Sequence, residues 1–181
     1  GAEVNVFISA AMKQMNSLNE EGLILEDSIT ELLENKIVLI VPKDNDKEIN
    51  TFEEITKAEK VALGDPESVP AGQYAKEAFE SLNMWDEVLE KASLGTNVTE
   101  VLTWVAEGSA DAGVVYSTDA ASNDKVEVIA EAPKDSVSKV IYPIGVIKNS
   151  EKVTQAKAVT EFLKSEEAMK IFESYGFIES K

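Results

Sequence analysis

Gly64-Asp-Pro-Glu-Ser-Val-Pro-Ala-Gly-Gln-Tyr-Ala-Lys-Glu-Ala-Phe79 joins a short apolar strand, Val61–Leu63, to a helix through a loop that exposes backbone N–H groups. Pro66 and Pro70 stiffen the loop. Pro70 falls just before or at the first helical turn, where its missing N–H costs nothing and its fixed φ already suits a helix. The small Ala71 and Gly72 let an outside group approach the backbone. The first N–H groups of a helix lack intrahelical acceptors, and the macrodipole adds partial positive charge there. An oxyanion can therefore be held without a cationic side chain. On local pattern alone, an ordinary strand–loop–helix connection is the simpler reading.

Upstream of this segment, Val4–Ile8 reads as a strand and Ala11–Glu21 as a helix, with Met12, Met15 and Leu18 on one face and Gly22 as its stop. Ser28–Glu34 reads as a short helix. Lys36–Val41 is a β-branched run ended by Pro42, and Lys43–Asn50 is a polar connection that suggests a lobe boundary. Thr51–Ile55 begins a short helix. The helix from about Ala71 to Asn83 turns Tyr74, Ala78, Phe79 and Leu82 toward a core.

Downstream, the plan repeats. Lys91–Gly95 leads to Asn97 and Glu100, which have capping-box spacing, and Val98, Val101, Leu102 and Val105 form an apolar stripe closed by Gly108. Ala112–Tyr116 is a short buried strand carrying Tyr116, Ser117, Thr118 and Asp119 at its far end. Lys125–Ala130 and Lys139–Ile147 read as strands, and Val153–Leu163 and Glu166–Tyr175 as helices. Ser165 suits the N-cap of the last helix, and Gly176 with Phe177 suits a Schellman ending. Alternation of strands and helices predicts an α/β fold with largely parallel sheets. Chain crossings near Pro42 and near Lys139–Pro143 make 42–138 one lobe, and 1–41 with 139–181 the other.

With 181 residues, 44% of them hydrophobic, the chain can bury one large core or two small ones. Its longest apolar runs, Ile37–Val41 and Val101–Ala106, are too short to cross a bilayer, and the start Gly-Ala-Glu-Val lacks the features of a secretory signal. Export would need a signal upstream. All 17 basic residues are Lys, and 34 acidic residues bring the formal charge to −17, which disfavours nucleic acid as a partner. Arg, His and Cys are absent from the sequence. Cysteine nucleophiles, imidazole bases, thiolate or imidazole metal ligands and bidentate Arg clamps are thereby excluded. The acidity does not exclude an anionic ligand, because charges beyond about 8 Å are largely screened at physiological ionic strength. The Glu20-Glu21, Glu53-Glu54 and Glu166-Glu167 pairs diverge on helices and lack the loop of a calcium site, so they read as solvated faces.

The Gly64–Phe79 segment resembles the corresponding stretch of the periplasmic molybdate-binding proteins, the solute receptors of molybdate ABC importers. Val6-Phe-Ile-Ser-Ala10, Val38-Leu-Ile-Val-Pro-Lys43, Gly113-Val-Val-Tyr-Ser-Thr-Asp-Ala120, Val140-Ile-Tyr-Pro-Ile144 and Phe172-Glu-Ser-Tyr-Gly-Phe177 agree with that family in order. Asn5 stands where the family usually has Asp. The resemblance implies a two-lobed, hinge-closing, periplasmic-binding-protein-like fold of type II with mostly parallel sheets. It also implies an incomplete first lobe, since family members carry a strand, a helix and a further strand–helix unit before the Val6 segment.

Carried over residue by residue, the resemblance implies three ligand groups: the backbone N–H of Ala71, the backbone N–H of Val98 and the hydroxyl of Tyr116. Molybdenum enters as the centre of the bound oxyanion held through these groups, and no resident cofactor is expected. Each position also has local physical sense. Ala71 and Val98 sit at predicted helix starts, and Tyr116 lies near the C-terminal end of a buried strand, where ligands of open α/β sheets bind. Singly, each also reads as structural: a helix-start residue, a core residue and a buried aromatic. The family's serine loops of the first lobe precede this chain. Ser9 reads as a cap for the following helix.

The expected function is capture of molybdate, or tungstate, between two lobes for delivery to a membrane permease in a periplasmic or cell-surface setting. The alternatives are an enzyme on the same fold, with Asp65, Glu67, Asp119 or a Lys as its base, and a stand-alone interaction module. The incomplete lobe is expected to expose apolar surface and to self-associate.

Overall fold

Lys36 separates two strands that belong to different sheets, β2 (Thr30–Asn35) and β3 (Ile37–Pro42). A computed structural model of the chain describes residues 3–180. Gly1, Ala2 and Lys181, which the expected lobe ranges include, lie outside the described residues. By their contacts the residues divide into two units, one running to Asn35 and resuming at Lys139, the other spanning Lys36–Ser138. The first boundary therefore falls before the apolar run and not after it. The run Ile37–Val41 is buried throughout: β3 is hydrogen-bonded on both edges within the second sheet, and helices on both of its faces cover its alternating side chains. Pro42 ends that strand; it does not end a lobe.

In the first unit, β1 (Val6–Ile8), β8 (Val140–Val146), β2 and β9 (Ile178–Glu179) form a four-stranded sheet in the order β1-β8-β2-β9, and every pairing is antiparallel. Mostly parallel sheets are thus not what this unit contains. Its strands pair without the long crossover that a parallel pair needs. The expected helix over Ser28–Glu34 is also replaced, by β2. Glu and Leu are good helix formers, but intrinsic propensity is a small term per residue, and the ladder with β8 from Thr30 opposite Ile144 to Asn35 opposite Val140 outweighs it. A register shift between Glu31 and Leu33 lets the adjacent Leu32 and Leu33 both bury, which simple alternation would forbid.

Helix α1 (Met12–Glu20) buries Met15, and α6 (Val153–Leu163) and α7 (Glu166–Ser174) belong to the same unit. Leu32, Leu33, Ile144 and Met169 form a core joined by Tyr142, Phe172 and Phe177. Ser165 caps α7 by accepting from the Ala168 amide at 3.3 Å. The helix ends with Phe177 N–H on the Phe172 carbonyl and Gly176 N–H on that of Glu173, the expected Schellman pair.

The second unit contains β3, β4 (Val61–Gly64), β5 (Ala92–Gly95), β6 (Ala112–Tyr116) and β7 (Val126–Glu131) in the order β5-β4-β6-β3-β7. Parallel pairing is confined to β5, β4 and β6, while β3 runs antiparallel to both β6 and β7. The chain passes from β4 to β5 through α2 (Pro70–Ser81) and α3 (Trp85–Glu90), then returns across β4 to β6 through α4 (Val98–Ala106). Right-handed crossovers made in opposite directions put α2 and α4 on opposite faces of the sheet. The side chains agree: Val101, Leu102 and Val105 of α4 share one core with Val38, Ile40, Ala62 and Val115. Tyr116, next in the strand, points to the other face and meets Tyr74 of α2. A short helix not foreseen in the sequence, α5 (Ser117–Ala121), follows β6 directly.

A candidate oxyanion site at the edge of the second sheet

The parallel strands β4, β5 and β6 end along one edge, with Gly64 paired in register with Gly95. The connections that leave this edge turn to opposite faces, which is where open α/β sheets form a ligand crevice. The structure brings the starts of α2 and α4 and the residue Tyr116 to this edge.

At α2, Pro70 occupies the first turn as expected and Ala71 follows it, buried. Backbone bonding begins with the Gly72 and Gln73 amides, both donating to the Val69 carbonyl, so the Ala71 N–H is left over at the helix start. The loop before it is closed by Asp65. One carboxylate oxygen accepts from the Glu67 amide at 3.0 Å and the other from the Ser68 hydroxyl at 3.0 Å. The Asp65 amide donates to the Gly95 carbonyl at 2.9 Å and ties the two loops together. Gly72 lets the helix lie against the end of β4, because a Cβ there would come 2.1 Å from the Gly64 oxygen.

At α4, Asn97 caps the helix by accepting from the Glu100 amide at 2.9 Å. The Glu100 carboxylate reaches the Thr96 amide at 2.7 Å and the Thr96 hydroxyl at 3.0 Å, one residue further back than the usual reciprocal bond. Val98 is the first helical residue and is half-buried, and its amide, like that of Thr99, has no acceptor inside the helix.

Tyr116 ends β6 as the N-cap residue of α5, and its phenol oxygen is fully buried. Its ring stands edge-on to that of Tyr74, with centroids 6.5 Å apart and planes at 67°. Sequence reasoning missed this partnership. Tyr74 carries the helical spacing of a core residue, and nothing local marks which ring it will meet.

Two acidic groups near these donors are engaged by their own loops: Asp65 through both carboxylate oxygens, and Glu100 through Oε2, which accepts both Thr96 bonds. Asp119, in the first turn of α5, is different. Burial holds its carboxyl above the ordinary carboxylate range, opposed only by a bond from its own amide. Ser9 lies in the other unit, where its hydroxyl accepts from the Ala11 amide at 3.3 Å. No group of acidic residues that could hold a metal ion occurs among the described residues, and no described helix is long and apolar enough to cross a membrane.

Two α/β units, one of them presenting helix starts at the edge of parallel strands, define the architecture of a type II solute receptor. The chain belongs to the bacterial extracellular solute-binding proteins, whose family model matches residues 1–178. It is 45% identical over 177 residues to YvgL of Bacillus subtilis, assigned as an ABC transporter substrate-binding lipoprotein, covering 98% of this chain and 68% of that protein. It is 36% identical over 182 residues to the molybdate-binding protein ModA of Haemophilus influenzae, covering 98% of this chain and 71% of that one. Among solved structures, the substrate-binding domain assigned to a molybdenum ABC transporter of Clostridium difficile superposes with a TM-score of 0.84 at 41% identity, covering 100% of this chain and 79% of that one. The family is extracytoplasmic and works by binding solutes.

Proposed function

We propose that the chain is the substrate-binding component of an ABC importer and that it captures molybdate or tungstate. One observation carries the reading. The Ala71 amide, the Val98 amide and Tyr116 come to the same edge of β5, β4 and β6, while Asp65 and Glu100 bond to their own loops. The three groups offer donors to an oxyanion, and a donor-dominated shell disfavours hydrogen phosphate, whose protonated oxygen needs an acceptor. Sulfate is disfavoured by its smaller size. The two group-six oxyanions have nearly the same size and charge, and the donor set treats them alike.

Titration calorimetry with molybdate, tungstate, sulfate and phosphate tests this. Binding of the first two and weak or absent binding of the others is the expected result; equal binding of sulfate overturns the assignment.

The reading involves no covalent chemistry and no resident cofactor. The partner that receives the ligand is a membrane permease, and the setting is the periplasm or the cell surface. Membership of a solute-binding family disfavours the enzyme alternative, and turnover of oxyanion esters would revive it. Self-association through the first unit is proposed on its exposed apolar side chains, Val159, Phe162, Ile171 and Tyr175, with equilibrium sedimentation as the check.

A further inference from the structure

We propose that Tyr74 is a positioning residue of this site, acting through Tyr116: its ring holds the Tyr116 hydroxyl in place for the oxyanion. The inference rests on the oxyanion reading above and adds a residue that the resemblance does not assign.

Tyr74 lies three residues after Ala71 on α2, so it occupies the turn below the amide that faces the ligand. Both rings are sequestered, Tyr74 at 7% exposure and Tyr116 at 5%. They meet edge to face at 6.5 Å, a geometry that the charge distribution of aromatic rings favours. A tyrosine hydroxyl is placed by two side-chain torsions, and a ring packed against its flank restricts both. Gly72, between Ala71 and Tyr74, seats the same turn on the Gly64 carbonyl. One helical turn therefore sets both an amide donor and, through Tyr74, the ring carrying the hydroxyl donor. Movement of α2 displaces both together.

The test compares Tyr74→Leu, Tyr74→Phe, Tyr116→Phe and the Tyr74→Leu/Tyr116→Phe double variant by molybdate calorimetry. The ring-carbon NMR signal of Tyr116 is followed in protein labelled at tyrosine Cζ. Tyr74→Leu is expected to weaken molybdate binding about threefold to tenfold, and Tyr74→Phe, which keeps the ring, to stay within about twofold. In the Tyr116→Phe background, Tyr74→Leu should cause no further loss. Without ligand, the Tyr116 signal should shift or broaden in Tyr74→Leu and return in Tyr74→Phe. An equal loss with and without the Tyr116 hydroxyl, or an undisturbed signal in Tyr74→Leu, overturns the positioning role while leaving the oxyanion site intact. Unchanged affinity in Tyr116→Phe, or no molybdate binding by the unsubstituted chain, removes the site and this inference with it.

Discussion

The first turn of α2 rests on the Gly64 carbonyl so closely that a Cβ on Gly72 would stand 2.1 Å from its oxygen. The contact fixes how far the helix start sits from the end of β4. The obstacle is backbone, which cannot swing aside as a flexible side chain can. Gly72→Ala is therefore expected to lower stability by about 1–3 kcal/mol and to weaken molybdate binding as α2 is pushed outward. Denaturant unfolding and calorimetry on the same samples check both effects. Unchanged values in both would mean that the α2 turn adapts freely.

Tyr116→Phe removes one hydroxyl and keeps the ring against Tyr74. A hydrogen bond to a charged group is worth about 1.5–3 kcal/mol, so molybdate affinity should fall by about tenfold to a hundredfold while the melting temperature changes little. A large drop in melting temperature with intact affinity would make the hydroxyl structural.

Asn97→Ala deletes the side chain that accepts the Glu100 amide at the start of α4. Loss of such a cap costs about 0.5–2 kcal/mol. The expected signature is a lower denaturant midpoint with an unchanged slope, and hydrogen exchange should accelerate first in the amides of the opening turn of α4.

Asp119 supplies a pH dependence of known sign. Because burial raises its carboxyl above the ordinary value, the folded state keeps this proton to higher pH than the unfolded chain does. Its contribution to stability is therefore full below the ordinary carboxylate range and is lost as pH rises through the raised folded value. Asp119→Asn should flatten this segment of the profile, gaining stability relative to the parent at neutral pH compared with pH near 3. Thermal unfolding of both proteins across that range is the measurement, and parallel profiles would contradict the assigned sign.

Much of the second unit was legible in the residues themselves. Pro70 marks a helix start because its ring geometry suits that position and no other in the helix. Asn97 three residues before Glu100 marks another, and Gly108, observed at φ +71°, marks a stop. These signals act within one turn of chain, so the sequence alone determined where α2 and α4 begin, and with them the Ala71 and Val98 amides at the helix starts. Absence of Arg, His and Cys likewise confines the chemistry to amides, hydroxyls, carboxylates and lysines.

What only tertiary structure decided is which elements meet. Thr30–Asn35 has side chains suited to a helix and becomes a strand, because the ladder with β8 lies more than a hundred residues away in the chain, where no local pattern can register it. Ile37–Val41 reads as a buried strand in isolation, yet its place between β6 and β7, and hence its membership of the second unit, depends on backbone bonds to partners distant in sequence. The pairing of Tyr74 with Tyr116 has the same origin. Helical and strand periodicities set the face on which each ring lies, and the stacking of α2 on β6 makes the two faces one contact.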